Sequence, residues 1–462
     1  MGGFNINSNM NIKDYHKIDH ALDQLNFKYK DIDITYLVRN HVISLIRTNI
    51  NIGNPEIKLD KKILLRLLKS AMITLPNFFR KKSTWVFSNA ERRKKFGAFY
   101  YDRVASVVSE NNENNVLFIE NPVIQDHKFP SKDIILSDAI FFIGAYLFGF
   151  FKFDKKKLQV DPEFTEFGKE YQINPNILPI IKRFVGQYHF MKFYLKYFSK
   201  PKQVFLVYPN GYYGYNLAFK ELNIPVIELQ HGIIYPLHPS YNTILFEKSS
   251  KFKPDYILTY GHRDKECLEN LNYVEKNNSF VVGSYGLLKG KNETIIETYL
   301  KNILVSNKKN IALIATTNDI DELYDLSKRL TSITAEFNLL ILPRHEIKHL
   351  QNLQNITVLD VHQTNIFEVY QGVDFLISKS STSALEALYM NIPTFLLEGE
   401  NEQSIFRQNY SFIKSFNYFK NEQELLELIQ SENYIKPTVD DVDQVYASGL
   451  FENYKEALNR FL

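Results

Sequence analysis

Residues 375–397 read FLISKSSTSALEALYMNIPTFLL. An apolar run from Phe375 to Ser378 is followed by a hydroxyl-rich turn, an amphipathic stretch from Ser383 to Met390, and a second apolar run from Thr394 to Leu397. Short apolar runs bounded by Ser, Asn and Pro read as buried strands, and apolar residues at three- and four-residue spacing read as a helix. A crossover helix returns the chain to the same end of the sheet, so the two strands run parallel. The fold class is therefore α/β, a parallel sheet with helices on both faces.

The same alternation extends in both directions. Upstream lie strands Ile311 to Ala315, Leu339 to Leu342 and Thr357 to Leu359, with a helix expected over Asp321 to Phe337. A second series begins at Thr84, with strands expected at Trp85 to Phe87, Asn115 to Ile119, Gln203 to Tyr208, Pro225 to Leu229, Tyr256 to Thr259 and Phe280 to Val282. Between the series, Gly283, Gly286 and Gly290 precede a polar stretch. The expected architecture is two Rossmann-like domains facing across a cleft, residues 84–290 and 291–446. A mainly helical segment, 1–83, precedes them, and a terminal helix, 447–462, packs back on the first domain.

Length and charge fit this plan. The chain has 462 residues, enough for several domains of about 150 residues. Its 55 Lys/Arg against 52 Asp/Glu give +3, but residues 291–462 carry 15 against 24, a balance of −9 that leaves +12 on residues 1–290. Twelve of the cations fall between Lys58 and Lys95, with Phe78, Phe79 and Trp85 interleaved. An anionic membrane surface or a charged glycan acceptor is the expected partner of that stretch. No nucleic-acid module is legible, and nucleic acid is not expected as a partner.

A single cysteine, Cys267, leaves no internal disulfide and favours a reducing, cytoplasmic location. The first residues lack a basic segment before an apolar core, so no secretory signal is expected. The uncharged run Ala139 to Phe151 is shorter than the ~20 residues that span a bilayer. It reads as a buried helix or strand, or else as an interfacial segment held by Lys152 and Lys155 to Lys157.

Ligands of open parallel sheets bind beyond the carboxyl ends of the strands. Ser380, Ser381, Thr382 and Ser383 occupy such an end and would offer hydroxyls and amide N–H groups to a phosphate, with Glu386 one turn on. Arg344 and His345 leave the strand ending at Leu342 and would add charge-assisted bonds. Thr316 and Thr317 form a third wall. In the first domain, Gln230-His231-Gly232 follows a strand, and the glycine would let the chain turn and leave the imidazole uncovered. Asn210 and Tyr212 follow another strand, and Glu120 a third. His231 and Glu120 are the candidate bases. His345-Glu-x-x-His349 has the spacing of a zinc motif but directly follows Pro343 and a strand, so no metal is expected there. Asp-x-Asp triplets at Asp31, Asp319 and Asp441 read as caps or solvated loops.

On these residues the chain resembles GT-B fold glycosyltransferases of bacterial surface polysaccharides. The likeness is to sialyltransferases, polysialyltransferases and Kdo transferases, which use CMP-activated acidic sugars, and also to CDP-glycerol polymerases of teichoic acid synthesis. In those families a His-Pro pair and a Ser-Ser/Thr pair hold the donor phosphate and nucleotide. His345 matches the histidine, although Glu346 stands where proline is usual and the intact pair His238-Pro239 lies in the other domain. Ser380, Ser381 and Thr382 match the hydroxyl motif. Ser378 occupies the place of a glutamate common in retaining hexosyltransferases.

The resemblance implies a glycosyltransferase that needs neither metal nor cofactor. A nucleotide sugar would sit on the second domain, and a glycan or lipid-linked glycan acceptor on the first near Gln230, Gly232, Asn210 and Tyr212. The location implied is cytoplasmic, peripheral on the inner face of the membrane. Alternatives are a CDP-polyol phosphotransferase, a UDP- or GDP-hexose transferase, a nucleotide-sugar epimerase and a noncatalytic membrane-docking scaffold.

Overall fold

The computed structural model describes residues 12–49, 60–112, 115–174, 176–236, 238–316, 318–399 and 405–461; Lys58 and Thr317 lie outside them. The first large sheet contains β1 (Thr84–Asn89), β2 (Val116–Asn121), β3 (Ile135–Ser137), β4 (Gln203–Leu206), β5 (Val226–Leu229), β6 (Tyr256–Thr259) and β7 (Ser279–Val281). All are parallel, in the order β3-β2-β1-β4-β5-β6-β7. The second sheet contains β8 (Lys309–Ile314), β9 (Phe337–Leu342), β10 (Ile356–Val358), β11 (Phe375–Ser378), β12 (Thr394–Leu397) and β13 (Phe416–Phe419). It is also parallel, in the order β10-β9-β8-β11-β12-β13. Each sheet thus runs 3-2-1-4-5-6 in its own numbering, the doubly wound order, with one further strand on the first.

These strands are mostly apolar because helices cover both faces; β9, for example, is buried along its whole length. Order reverses between β1 and β4 in one sheet and between β8 and β11 in the other. Those reversals open a crevice at the carboxyl ends, and part of the candidate set lines it.

The chain passes between the domains twice, and the two passages touch. Gly283 has φ +97°, and a Cβ there would lie 2.5 Å from the carbonyl oxygen of Ala447. Ala447 N–H in turn donates to Tyr260 O at 2.9 Å. The last helix, Leu450–Phe461, then lies on the first domain, with Tyr454 stacked 6.3 Å from Phe205 of β4.

Several expectations are corrected. The helix placed over Asp321 to Phe337 spans Ile320–Ile333, because Phe337 already begins β9. The segment before residue 84 holds helices Ile12–Asp23, Thr35–Asn49 and Lys61–Thr74, but also the strands Phe27–Tyr29 and Ile32–Asp33. Phe27–Tyr29 pairs antiparallel with Leu158–Val160, so the segment is stitched into the first domain. Ala139 to Phe151 lies in helix Asp138–Lys152, and only one side of it is buried. Strands β3 and β13 and the hairpin Arg93–Phe96/Phe99–Asp102 were not anticipated.

Candidate functional site

A cavity of about 790 Å³ opens between the carboxyl ends of the two sheets. His231 and Gly232 line it from the first domain; Thr316, Arg344 and Ser380 to Ser383 line it from the second, with Glu386. Residues from widely separated parts of the chain therefore share one space, because each follows a parallel strand whose carboxyl end faces the crevice.

Hydrogen bonds within the hydroxyl turn divide the work among its members. Asp319, buried, accepts from Ser380 Oγ at 2.7 Å, Ser380 N–H at 3.1 Å and Thr316 Oγ1 at 2.6 Å. Ser381 and Ser383 pair with each other at 2.8 Å. Thr382 is exposed, lines the cavity, and among the described residues its hydroxyl caps nothing. The helix that follows, Ser383–Tyr389, is only seven residues long. Its terminus offers little field, so positive potential has to come from side chains.

Those side chains are Arg92, Lys94, Arg103 and Arg344. Arg92 and Lys94 belong to the stretch expected to meet an anionic partner surface, and here they line the cleft instead. The hairpin after β1 sorts the run by strand alternation. Arg92 and Lys94 face the cavity, whereas Arg93 turns inward and Lys95 meets Glu297 at 2.5 Å. Burial, then the neighbouring Arg103, lowers the Lys94 ammonium to about 8. Arg103 reaches across the cleft to Glu386 at 3.5 Å, and Glu386 also accepts from Tyr370 Oη at 2.9 Å. Glu386 therefore ties the domains together.

His231 lines the cavity from the first domain in a setting that shifts its titration. Its Nδ1 is buried without a hydrogen-bond partner among the described residues. Burial, then Arg92, His238 and Arg103, holds the imidazole well below its ordinary pKa. It is neutral at pH 7 and keeps a lone pair for a proton. His238 lines the same cavity. Its loop is clamped from the N-terminal segment: buried Arg39 pairs with Asp19 at 2.7 Å and donates at 2.5 Å to the carbonyls of Pro239 and Asn242. That segment had shown no link to the site; the link is a long-range buried ion pair, for which one sequence carries no local signal.

Other candidates are placed elsewhere. Glu120 is fully buried, bonded to Arg93 Nε and, at 2.6 Å, to His127 Nδ1. Burial alone would raise its carboxyl, but Arg93 and His127 outweigh it and hold the group below the usual range. A carboxylate so engaged cannot reach an acceptor hydroxyl, which corrects its assignment as a base. His345 is exposed and does not line the cavity. The strand ends at Leu342, and the bend that follows keeps Leu342, Pro343 and Arg344 on the cavity but carries His345 away from it.

Gln230 is buried and saturated, with Tyr260 N–H donating to it at 2.6 Å and its own amide donating to Gly232 O at 2.8 Å and to Asp264. It fixes the loop rather than facing an acceptor. Gly232 has open space where a side chain would stand, so its value is the room it leaves in the cavity, not a special backbone angle. Asn210 is tied to Ser240 Oγ at 2.7 Å and Tyr213 Oη at 2.9 Å. Tyr212 donates to Asp138 at 3.1 Å and lines a separate cavity of about 240 Å³. The His345-Glu-x-x-His349 stretch is irregular rather than helical, and His349 Nε2 is taken by Asp321 at 2.7 Å. No cluster of three His, Cys, Asp or Glu side chains is placed to hold a metal among the described residues.

Among solved structures, the UDP-GlcNAc 2-epimerase from Neisseria meningitidis bound to UDP-GlcNAc aligns with TM-score 0.51 and 12% identity, covering 82% of this chain and 100% of that one. The UDP-GlcNAc 2-epimerase from Methanocaldococcus jannaschii aligns with TM-score 0.50 and 11% identity over 82% and 99%. The fold is of the GT-B type. The wall teichoic acid polymerase TagF aligns more loosely, with TM-score 0.44 and 12% identity over 91% and 92%. No family model matches the sequence, and no curated protein does. At these identities the likeness speaks to architecture alone. Chemistry has to be argued from the cleft.

Proposed function

We propose that the chain is a glycosyltransferase that takes a sugar from a nucleotide-linked donor to an acceptor hydroxyl. The observation that carries this reading is the cavity itself, where a neutral, unpartnered His231 on one domain faces Arg344 and the Thr382 turn on the other. The nucleotide phosphate rests on the second domain. As the acceptor oxygen bonds to the anomeric carbon, its proton passes to His231, and the bond from that carbon to the phosphate oxygen breaks. The electron pair leaves with the nucleotide, whose charge falls to Arg344 and the Thr382 hydroxyl. Glu386 and Arg103 hold the domains closed, which limits competing attack by water.

The finer reading is a CMP-linked acidic sugar and a bacterial surface glycan acceptor. Its support is the surplus of cations: beside Arg344, Arg92 and Lys94 line the cavity, more than one phosphate needs, and they suit a sugar with its own carboxylate. Thermal melting with CMP, CDP, UDP and GDP, each free and sugar-linked, tests it; the CMP compounds are expected to raise the melting temperature most. Incubation with the bound donor alone should release free nucleotide slowly. Isomerised nucleotide sugar in that incubation would make the chain an epimerase, and no stabilisation by any of the compounds would end the nucleotide reading.

A further inference from the structure

Three segments distant in sequence pool exposed apolar side chains on the first domain. Helix Lys61–Thr74 and the turn Leu75–Phe79 supply Leu65, Met72 and Phe79; helix Asp138–Lys152 supplies Tyr146, Phe150 and Phe151. Met72 and Phe151 are 76% and 75% exposed. Tyr197 ends the third segment, helix Leu178–Tyr197. Ring contacts join the three segments: Phe79 lies 6.1 Å from Phe198, Phe198 lies 5.8 Å from Phe193, and Phe193 lies 5.4 Å from Phe148. Thr74 Oγ1 accepts from Ser137 N–H at 2.9 Å, which docks the first helix beside the second. Scattered apolar residues are ordinary on a protein surface, but a contiguous set is not.

Cations stand around it. Lys69 belongs to the first segment, Lys81 follows it, and Lys152 ends the second. Lys182 lies 5.1 Å over the Phe150 ring and Lys196 lies 5.0 Å over the Tyr197 ring. The basic stretch Lys58 to Lys95 does not form one face, since Arg92 and Lys94 belong to the cleft and Arg93 is buried. Only its first part contributes here. No helix among the described residues is long and apolar enough to cross a membrane.

We propose that this face seats the protein on an anionic bilayer, with the aromatic and aliphatic tips in the interface and the lysines on the lipid phosphates. A second copy of the chain fits less well, because pairing would bring two lysine rims together. The face is separate from the cleft, so the inference stands apart from the proposed reaction.

Flotation with vesicles tests it. The protein should float with phosphatidylcholine vesicles containing phosphatidylglycerol and bind pure phosphatidylcholine at least about tenfold more weakly. Both side chains of F150D/F151D are exposed, so that variant should fold. It should lose about tenfold or more of the binding, while its melting temperature and its stabilisation by nucleotide stay as in the parent. Failure of the parent to float would overturn the proposal, as would equal binding by the variant. A vesicle-free dimer that the same variant splits would assign the face to a second copy and overturn it too.

Discussion

Replacing His231 by alanine is expected to lower transferase turnover by about 100- to 10,000-fold, the range typical of losing a general base. Nucleotide-induced stabilisation should be largely retained, because the phosphate contacts assigned to Arg344 and the Thr382 turn come from the other domain. The parent enzyme should show a matching pH profile. Burial, then Arg92, His238 and Arg103, lowers the imidazole pKa, so the base form already prevails at neutral pH and activity falls only on acidification. An ordinary histidine would place that fall near pH ~6.5. Turnover that survives in His231→Ala, measured with donor and acceptor saturating, removes the assignment.

Glu120→Ala is expected to act on stability instead. Removing one partner of a buried ion pair leaves an uncompensated charge and costs about 3–5 kcal/mol. Here the charge stranded is Arg93, whose remaining carboxylate partner is Asp133 at 2.8 Å. The Glu120 carboxyl is held below its usual range, so its contribution is present above the unfolded pKa of ~4.3 and is lost as pH falls through the folded value. Denaturant unfolding at pH 7 should show the loss, and the gap between variant and parent should narrow in acid. A variant as stable as the parent but inactive would restore Glu120 to the chemistry.

The contrast between these two residues shows what the sequence could convey. Both are expected from the sequence to follow strands and are candidates for one role, but only His231 does, since Glu120 lies within β2. His231 keeps that candidacy because strand β5 ends at the crevice. Glu120 loses it to Arg93 and His127, and such pairing depends on how a hairpin folds back, not on local pattern. Strands β5, β6, β11 and β12 were legible as short, mostly apolar runs bounded by turn residues. Strand β3 was not, being three residues between Asp133 and Asp138.

Within the site, Arg344 and Thr382 could be found from their place after strands. Arg92 and Lys94 could not, because a basic run looks alike whether it faces solvent or splits between two sides of a hairpin. Arg103 drew no notice, since its value lies in reaching Glu386 across the cleft. Glu386 itself was legible from the helix start, but its interdomain bond was not.

The touching passages near Gly283 and Ala447 carry a mechanical consequence. A body whose two covalent tethers meet at one spot has a single knuckle, and its halves can swing about it without stretching either tether. Entry and exit of reactants would then widen the far lip of the crevice, and each swing would break and remake the Arg103 to Glu386 latch.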